Sequence, residues 1–493
     1  MRTFRLTLIF TLTLTFVNGV ALASSERLWQ EIPPSASTAC RANAEVEGRQ
    51  AHIDEQVADA DRVGLILMGD SITHYWETGD KYRTTYNALT ADRHAVNLAV
   101  TGDVTPGMIY RLEQRGHLDF KDGVTPKVAM LLCGTNNLHR RMLDLKGRDS
   151  DPQEVADGIR AIIQIFVRRY PSVRVLNLAV FPTRWHQGWR PTNDITRDYA
   201  DGRQVLALNL EELFLNEDGS VNKDLMPDGI HPNAAGYRAW LDAMDPVIEE
   251  LMKAEPLDPV TIMPLGGSIT EGRSSATCYR RYLDGMLRRA GHMIDFVGSR
   301  AGHDNNRAKP DSYQYDYDHE GHWGKTSGWM AEHIGELAAE NAPDIAVLHM
   351  GTEDLLAGSG PTERVIENAA ANIGRTIAAL RAANGQVKIV LAQIIPTRSV
   401  DVAHPDAAVR AMNAAITKLA AETSTVTSPV VLVDQYSGFD PRRDLSEDGV
   451  RPNAAGARKM AGRFCSVIDD LIDGRRGRTE AHAERESVIV SGE

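Results

Sequence analysis

The sequence predicts a doubly wound α/β fold, present twice, with parallel sheets enclosed by helices. Three observations predict it. Short apolar runs recur, several ending at a Gly-containing loop. Amphipathic helical stretches lie between them. Four segments of the first half return, in the same order, in the second.

The apolar runs are Val63–Met68, Val128–Cys133 and Val173–Val180, then Ile345–Met350 and Val387–Ile395. Their length and lack of alternation suit strands buried on both faces of a parallel sheet. Asp151–Arg169 separates two of them, with Ile159, Ile162, Ile163 and Phe166 at helical spacing. Thr362–Leu380 does the same in the second half. Such alternation gives right-handed crossovers and places the functional loops at the strand carboxyl ends.

The repeat is explicit. Asp228-Gly-Ile-His-Pro-Asn-Ala-Ala-Gly236 matches Asp448-Gly-Val-Arg-Pro-Asn-Ala-Ala-Gly456. Met68-Gly-Asp-Ser-Ile-Thr73 matches Leu265-Gly-Gly-Ser-Ile-Thr270. The Gly-Thr pairs at 134–135 and 351–352 align, as do Pro182-Thr-Arg184 and Pro396-Thr-Arg398. The 493 residues therefore divide into a leader (1–23), an extension (24–54), a first domain (55–253), a linker (254–259), a second domain (260–473) and a disordered tail (474–493).

Composition narrows the function classes. With 42% hydrophobic and 25% charged residues, wholesale disorder, collagen-like repeats and a multi-span membrane protein are excluded. A formal net charge of −13 argues against a nucleic-acid partner. Arg2 and Arg5, the apolar run Leu6–Val17 and Ala21-Leu-Ala23 read as a signal peptide cut after Ala23. The alternative is an uncleaved anchor, but that run spans only about 18 Å as a helix. Cleavage takes the net charge to −15 and implies a secreted or periplasmic protein with no membrane span. Cys40, Cys133, Cys278 and Cys465 are too few for a disulfide scaffold, and their pairing is open. Cys133, inside an apolar run, reads as a buried free thiol.

The first half carries a nucleophile, a base and an acid. Ser71 follows a strand at Gly69-Asp-Ser71, with Asp70 beside it. A serine attacks only if a base takes its proton, and His231 is that base. Asp228, three positions earlier, orients the imidazole and stabilises its charged form. Gly102 offers a backbone N–H to a developing oxyanion, Asn136 a side-chain amide, and Ser71 its own N–H. The chemistry is two-step ester hydrolysis through an acyl-serine, with no cofactor and no metal.

These blocks resemble the SGNH (GDSL) hydrolase family, which names Ser, Gly, Asn and His; here they are Ser71, Gly102, Asn136 and His231. The resemblance implies flavodoxin-like three-layer α/β/α sandwiches. Within it, Asn97–Thr105, Arg111-Leu-Glu113, Gly116–Asp119 and Pro126–Asn137 look like platelet-activating-factor acetylhydrolase catalytic subunits. Thr101 stands where those relatives usually have a second glycine. The second half is similar to acetylxylan esterases at Ile262–Gly272, Asp318–Gly324, Leu348–Thr352 and Val390–Pro396. There Ser268 and Gly324 match, and Asp448 keeps the acid position. Gly267 stands in place of Asp, Glu353 in place of Asn, and Arg451 in place of the base. Arginine stays protonated and cannot accept the serine proton. A glutamate repels an oxyanion. The second half is therefore expected to be inactive, with Glu353 and Arg451 converging as an ion pair.

The resemblance implies cleavage of short acyl esters. Secretion and the two likenesses point to de-O-acetylation of an extracellular polysaccharide. A phospholipid, lysophospholipid or platelet-activating-factor-type ester is the alternative; a carbohydrate-binding protein with two inactive halves is the alternative of another class. Trp76, Trp185 and Trp189 read equally as a sugar platform or as caps on the sheet. Tyr313, Tyr315, Tyr317, Trp323 and Trp329 lie near the second cleft and read first as packing. His319, His322 and His349 lack the helical His-Glu-x-x-His spacing of a metal site. Oligomeric state is open.

Overall fold

The structure, a computed structural model, describes residues 26–30, 44–138, 151–184, 188–274, 277–302, 315–358, 361–398 and 405–490. The predicted signal peptide, Cys40, Trp185 and Tyr313 lie outside them.

The first half runs α1 (Ala44–Asp59), β1 (Leu65–Gly69), α2 (Ser71–Thr78), α3 (Arg83–Thr90), β2 (Ala95–Asn97), α4 (Thr105–Glu113) and β3 (Val128–Leu132). It continues with α5 (Pro152–Arg169), β4 (Arg174–Leu178), α6 (Trp189–Arg197), β5 (Val205–Leu208) and α7 (Ala234–Lys253). Its strands are parallel in the order β2-β1-β3-β4-β5. That order reverses between β1 and β3, and α/β proteins bind ligands at such a switch. Side chains of one strand serve two cores. Leu65 and Leu67 pack with Trp76, Tyr237 and Trp240 on one face. Ile66 and Met68 pack with Ile159, Ile162 and Phe166 on the other. Each buried side chain of this size contributes about 1.5–3 kcal/mol.

The second half runs β6 (Val260–Gly266), α8 (Ser268–Glu271), α9 (Tyr279–Arg289), β7 (Ile294–Phe296), β8 (Arg300–Ala301), β9 (Asp318–Gly321), α10 (Ser327–Glu340) and β10 (Ile345–His349). Then come α11 (Thr352–Ala357), α12 (Thr362–Ala383), β11 (Lys388–Ala392), α13 (Pro405–Thr423), β12 (Val430–Val433) and α14 (Ala454–Val490). The parallel order β7-β6-β10-β11-β12 repeats that of the first sheet. β9 adds a parallel pairing to β6, and β8 an antiparallel one to β9. The repeated Asn-Ala-Ala-Gly opens a helix in both halves. Asn233 caps α7 by accepting from Ala235 and Gly236 N–H, and Asn453 does the same for Ala455 and Gly456.

One boundary differs from the sequence expectation. The extension expected to end at 54 is cut by α1, whose Ile53 and Val57 are core residues, joined by Leu28 and Trp29. Trp29 lies between Arg168 of α5 and Arg288 of α9, 5.1 and 4.8 Å from its ring centroid. Arg168 also pairs with Asp284 at 3.4 Å.

Candidate active site

Ser71 is the first residue of α2, directly after the switch-point strand β1. Asp70 caps the helix by accepting from Ile72 N–H at 3.0 Å. Ser71 is 7% exposed, and its Oγ lies 2.8 Å from His231 Nε2. The ring's Nδ1 lies 2.7 Å from Asp228 Oδ2. The other oxygen, Oδ1, accepts from the N–H groups of Ile230 and His231 at 2.9 and 2.8 Å. One carboxylate thus folds the turn and aims the imidazole. Gly229 makes the turn at φ +78°, where a Cβ would meet the Arg184 side chain. Burial pushes the Asp228 carboxyl up, but its bonds to His231 and the two backbone N–H groups outweigh burial and hold it below the usual range. The set can remove the Ser71 proton through a neutral imidazole held by an anionic carboxylate.

Gly102 sits at φ +72° in the loop after β2. Asn136, 9% exposed, donates through Nδ2 to Asp103 O at 2.9 Å, which leaves the amide its second hydrogen. Asn137 anchors the same region by accepting from Thr105 N–H and donating to Thr105 Oγ1. Thr101, the departure noted in the sequence, is bonded to His74 Nδ1 at 2.7 Å. Burial first, then Arg49, lowers the His74 pKa to about 4, so the ring is neutral. Asp70 is buried with Oδ2 unpaired among the described residues. Burial pushes its carboxyl up to about 6 against the Ile72 bond and the nearby His231.

Sequence reasoning missed the supports beneath this site. Arg111, fully buried, donates to Asp103 Oδ2 at 2.6 and 3.0 Å and to Leu98 O at 2.8 Å. Burial drives the Asp103 carboxyl up, and Arg111 opposes it. The signal was an arginine inside an otherwise apolar turn of α4. Arg49 of α1 reaches Asn97 O and Ala99 O, and no pattern in its helix marks it.

The tryptophan expectation is corrected. Trp76 is 0% exposed, donates to Thr85 Oγ1 at 2.9 Å and packs on Trp240 at 4.4 Å. Trp189 is also buried. Their indoles cover apolar interior and offer no sugar platform; Trp185 lies outside the described residues. Cys133, Cys278 and Cys465 are free thiols, and burial pushes that of Cys133 up.

In the second half Ser268 is 1% exposed at the start of α8. Its Oγ and N–H both donate to Glu353 Oε1, at 2.5 and 3.1 Å. The Ser268 hydroxyl is thus bonded to the protein's own carboxylate rather than to an imidazole. Gly267 belongs to this arrangement, since a Cβ there would lie 2.7 Å from Glu353 Cγ. Asp448 folds its turn as Asp228 does, accepting from Val450 and Arg451 N–H. Arg451 binds Asp448 Oδ2 at 2.8 and 2.9 Å and lies 4.0 Å over the Trp323 ring. The expected Glu353–Arg451 pair does not form. Each charge has a nearer partner, Ser268 for one and Asp448 for the other. Gly324 is exposed at φ +67° with open space around it.

Tyr315 and Tyr317 are buried and stacked at 4.0 Å, and Trp329 stacks on His333 at 4.0 Å. His322 bonds Glu320, and His319 accepts from Gly321 N–H. Among the described residues, His292, Asp469 and Asp473 gather ligand-type atoms. His319, His322 and His349 belong to no such group.

The fold and these two sites define a class. The chain belongs to the GDSL-like Lipase/Acylhydrolase family, whose model matches residues 67–239 and 265–459. It is a carboxylic ester hydrolase. It is similar to platelet-activating factor acetylhydrolase IB subunit alpha2 of Rattus norvegicus, 26% identical over 40% of this chain and 81% of that subunit. The human alpha1 subunit is 26% identical over 38% of this chain and 76% of its own length. A solved carbohydrate esterase family 3 protein from Talaromyces cellulolyticus is 33% identical, covering 44% of this chain and 99% of that one, with a TM-score of 0.38.

Proposed function

We propose that this chain is a secreted serine esterase that removes short acyl groups, acetyl above all, from carbohydrate esters. In this reading the first half does the chemistry and the second does none. The observation that carries it is the continuous chain Ser71 Oγ–His231 Nε2 and His231 Nδ1–Asp228, at 2.8 and 2.7 Å.

The steps follow from the geometry. Ser71 Oγ attacks the ester carbonyl as its proton passes to His231 Nε2. Asp228 holds the imidazolium that forms. The carbonyl oxygen becomes an oxyanion facing Gly102 N–H, the free hydrogen of Asn136 and the first-turn N–H of Ser71. Collapse breaks the ester C–O bond, and His231 returns the proton to the leaving alcohol. Water, activated by His231, then attacks the acyl-serine and releases the carboxylate. In the second half Arg451 cannot take a proton and Glu353 holds the Ser268 hydroxyl, which supports the reading of a silent copy.

The acetyl part rests on the likeness to acetylhydrolase subunits. The carbohydrate part rests on the acetylxylan-esterase-like stretches of the second half. Secretion rests on Arg2, Arg5, the apolar run and Ala21-Leu-Ala23. No helix among the described residues is long and apolar enough to cross a membrane.

Turnover of an aryl acetate, acetylated xylan and an acetyl phospholipid by wild type, Ser71→Ala and Ser268→Ala tests the reading. Ser71→Ala should lose at least about 10³-fold in kcat, and Ser268→Ala should match wild type. Activity that survives Ser71→Ala and vanishes in Ser268→Ala would reverse the assignment. Turnover of the phospholipid alone would replace the carbohydrate substrate with a lipid one. A wild type inert toward all three would favour the binding-protein class.

A further inference from the structure

We propose that Arg49, on the helix upstream of the family match, is a positioning residue for the oxyanion hole. This rests on the reading of Ser71 and Gly102 given above. The inference makes α1 part of the catalytic unit.

Arg49 is a cation with a 5% exposed side chain. A buried charge costs several kcal/mol unless its donors are satisfied. Two carbonyls accept from it, and a third group, a carboxylate that makes no hydrogen bond to it, balances the charge as an ion pair. Nε donates to Ala99 O at 3.0 Å, Nη2 donates to Asn97 O at 2.8 Å, and Nη2 lies 2.7 Å from Glu77 Oε2. The first two acceptors lie where β2 runs into the loop of Gly102. The third belongs to α2, the helix that begins with Ser71. One guanidinium therefore spans the two parts whose separation sets the reaction geometry.

The strand's position explains the need. β2 is a sheet edge, with β1 on one side only. Leu98 N–H and Val100 N–H donate inward to Leu67 O and Gly69 O. The carbonyls of Asn97 and Ala99 point the other way, where an edge strand has no ladder partner. Arg49 supplies that partner. Arg111 takes the carbonyl between them, Leu98 O, and the Asp103 carboxylate beyond the glycine. Three consecutive carbonyls are thus held by two arginine forks, and Gly102 lies within the span they fix. A planar fork serves two acceptors in set directions; a lysine ammonium does not.

A misplacement of about 1 Å in a catalytic group costs on the order of 10²-fold in rate. Full-length Arg49→Met, Arg49→Lys and Glu77→Gln, each confirmed folded by its melting temperature, are compared with wild type on an aryl acetate. Arg49→Met should lower kcat about 10–100-fold with KM within about twofold. Inhibition by an aryl boronic acid, which forms a tetrahedral serine adduct, should weaken by the same factor. Arg49→Lys should recover melting temperature more than kcat, because it restores the charge and not the fork. Glu77→Gln, which keeps the fork on the carbonyls, should lose less than Arg49→Met. Folded Arg49 variants with kcat within about twofold of wild type would overturn the inference. So would losses in KM alone, or activity that merely tracks the folded fraction. Should Arg49→Met not fold, Arg49→Lys decides by the same comparison. Failure of the functional reading looks different, since there the wild type is inert or Ser71→Ala stays active.

Discussion

Asp70 shows how one residue can be tied to its neighbour's chemistry. It caps the helix that starts with Ser71, yet half of its carboxylate faces the interior without a partner. Burial raises its pKa in the folded protein to about 6 from an ordinary 3.8. A folded state with the higher pKa binds the proton more readily than the unfolded chain. Its contribution to stability is therefore full below about pH 4 and is lost as pH rises through about 6. Asn keeps the cap acceptor and cannot ionise. Asp70→Asn should gain stability relative to wild type across that window, on the order of 1–3 kcal/mol by pH 7. Denaturant midpoints at pH 4, 5, 6 and 7 read it; parallel curves for the two proteins would refute it. In the second half the cap acceptor is gone at Gly267, and Glu353 supplies the acceptor instead, to Ser268 N–H.

At the scale of elements, α2 and α7 meet through aromatic rings. Trp76 packs on Trp240 at 4.4 Å and on Tyr237 at 5.3 Å, and Tyr237 donates to Ile72 O at 2.7 Å. Trp76→Ala should cost about 3–5 kcal/mol in a denaturation experiment, the penalty of emptying a core site. A sugar platform would behave otherwise, with stability kept and KM for glycosyl esters raised. The sequence left both readings open, because an indole after the nucleophile suits either one. Only the Thr85 partner for its N–H and the facing rings decide it. The strands and loop motifs were more legible. Uninterrupted apolar runs have few other uses, and Asp-x-x-His on a glycine turn restricts the chemistry of its residues. Arg111 stood out as an arginine in an apolar turn, but what it and Arg49 support was not legible. Their role depends on the carbonyls of Asn97, Leu98 and Ala99, at and just after the end of β2, a strand of three residues that no periodicity marks. The Glu353–Arg451 expectation failed for a related reason. Alignment put both residues at one site but carried no information on which nearer partner each would take.

Across the whole molecule, one strand order occurs twice, and the two switch points hold different contents. In the first, Ser71 faces an imidazole. In the second, Ser268 faces a carboxylate that is already in place, and the turn that should carry the base carries Arg451 clamped to Asp448. The same loops thus hold a serine bonded to an imidazole in one half and a serine bonded to a carboxylate in the other. A serine-directed probe separates the two directly. Full-length protein treated with excess fluorophosphonate, then weighed intact and mapped by peptide, should carry one adduct per chain, on Ser71. Two adducts, or a single adduct on Ser268, would contradict one working site.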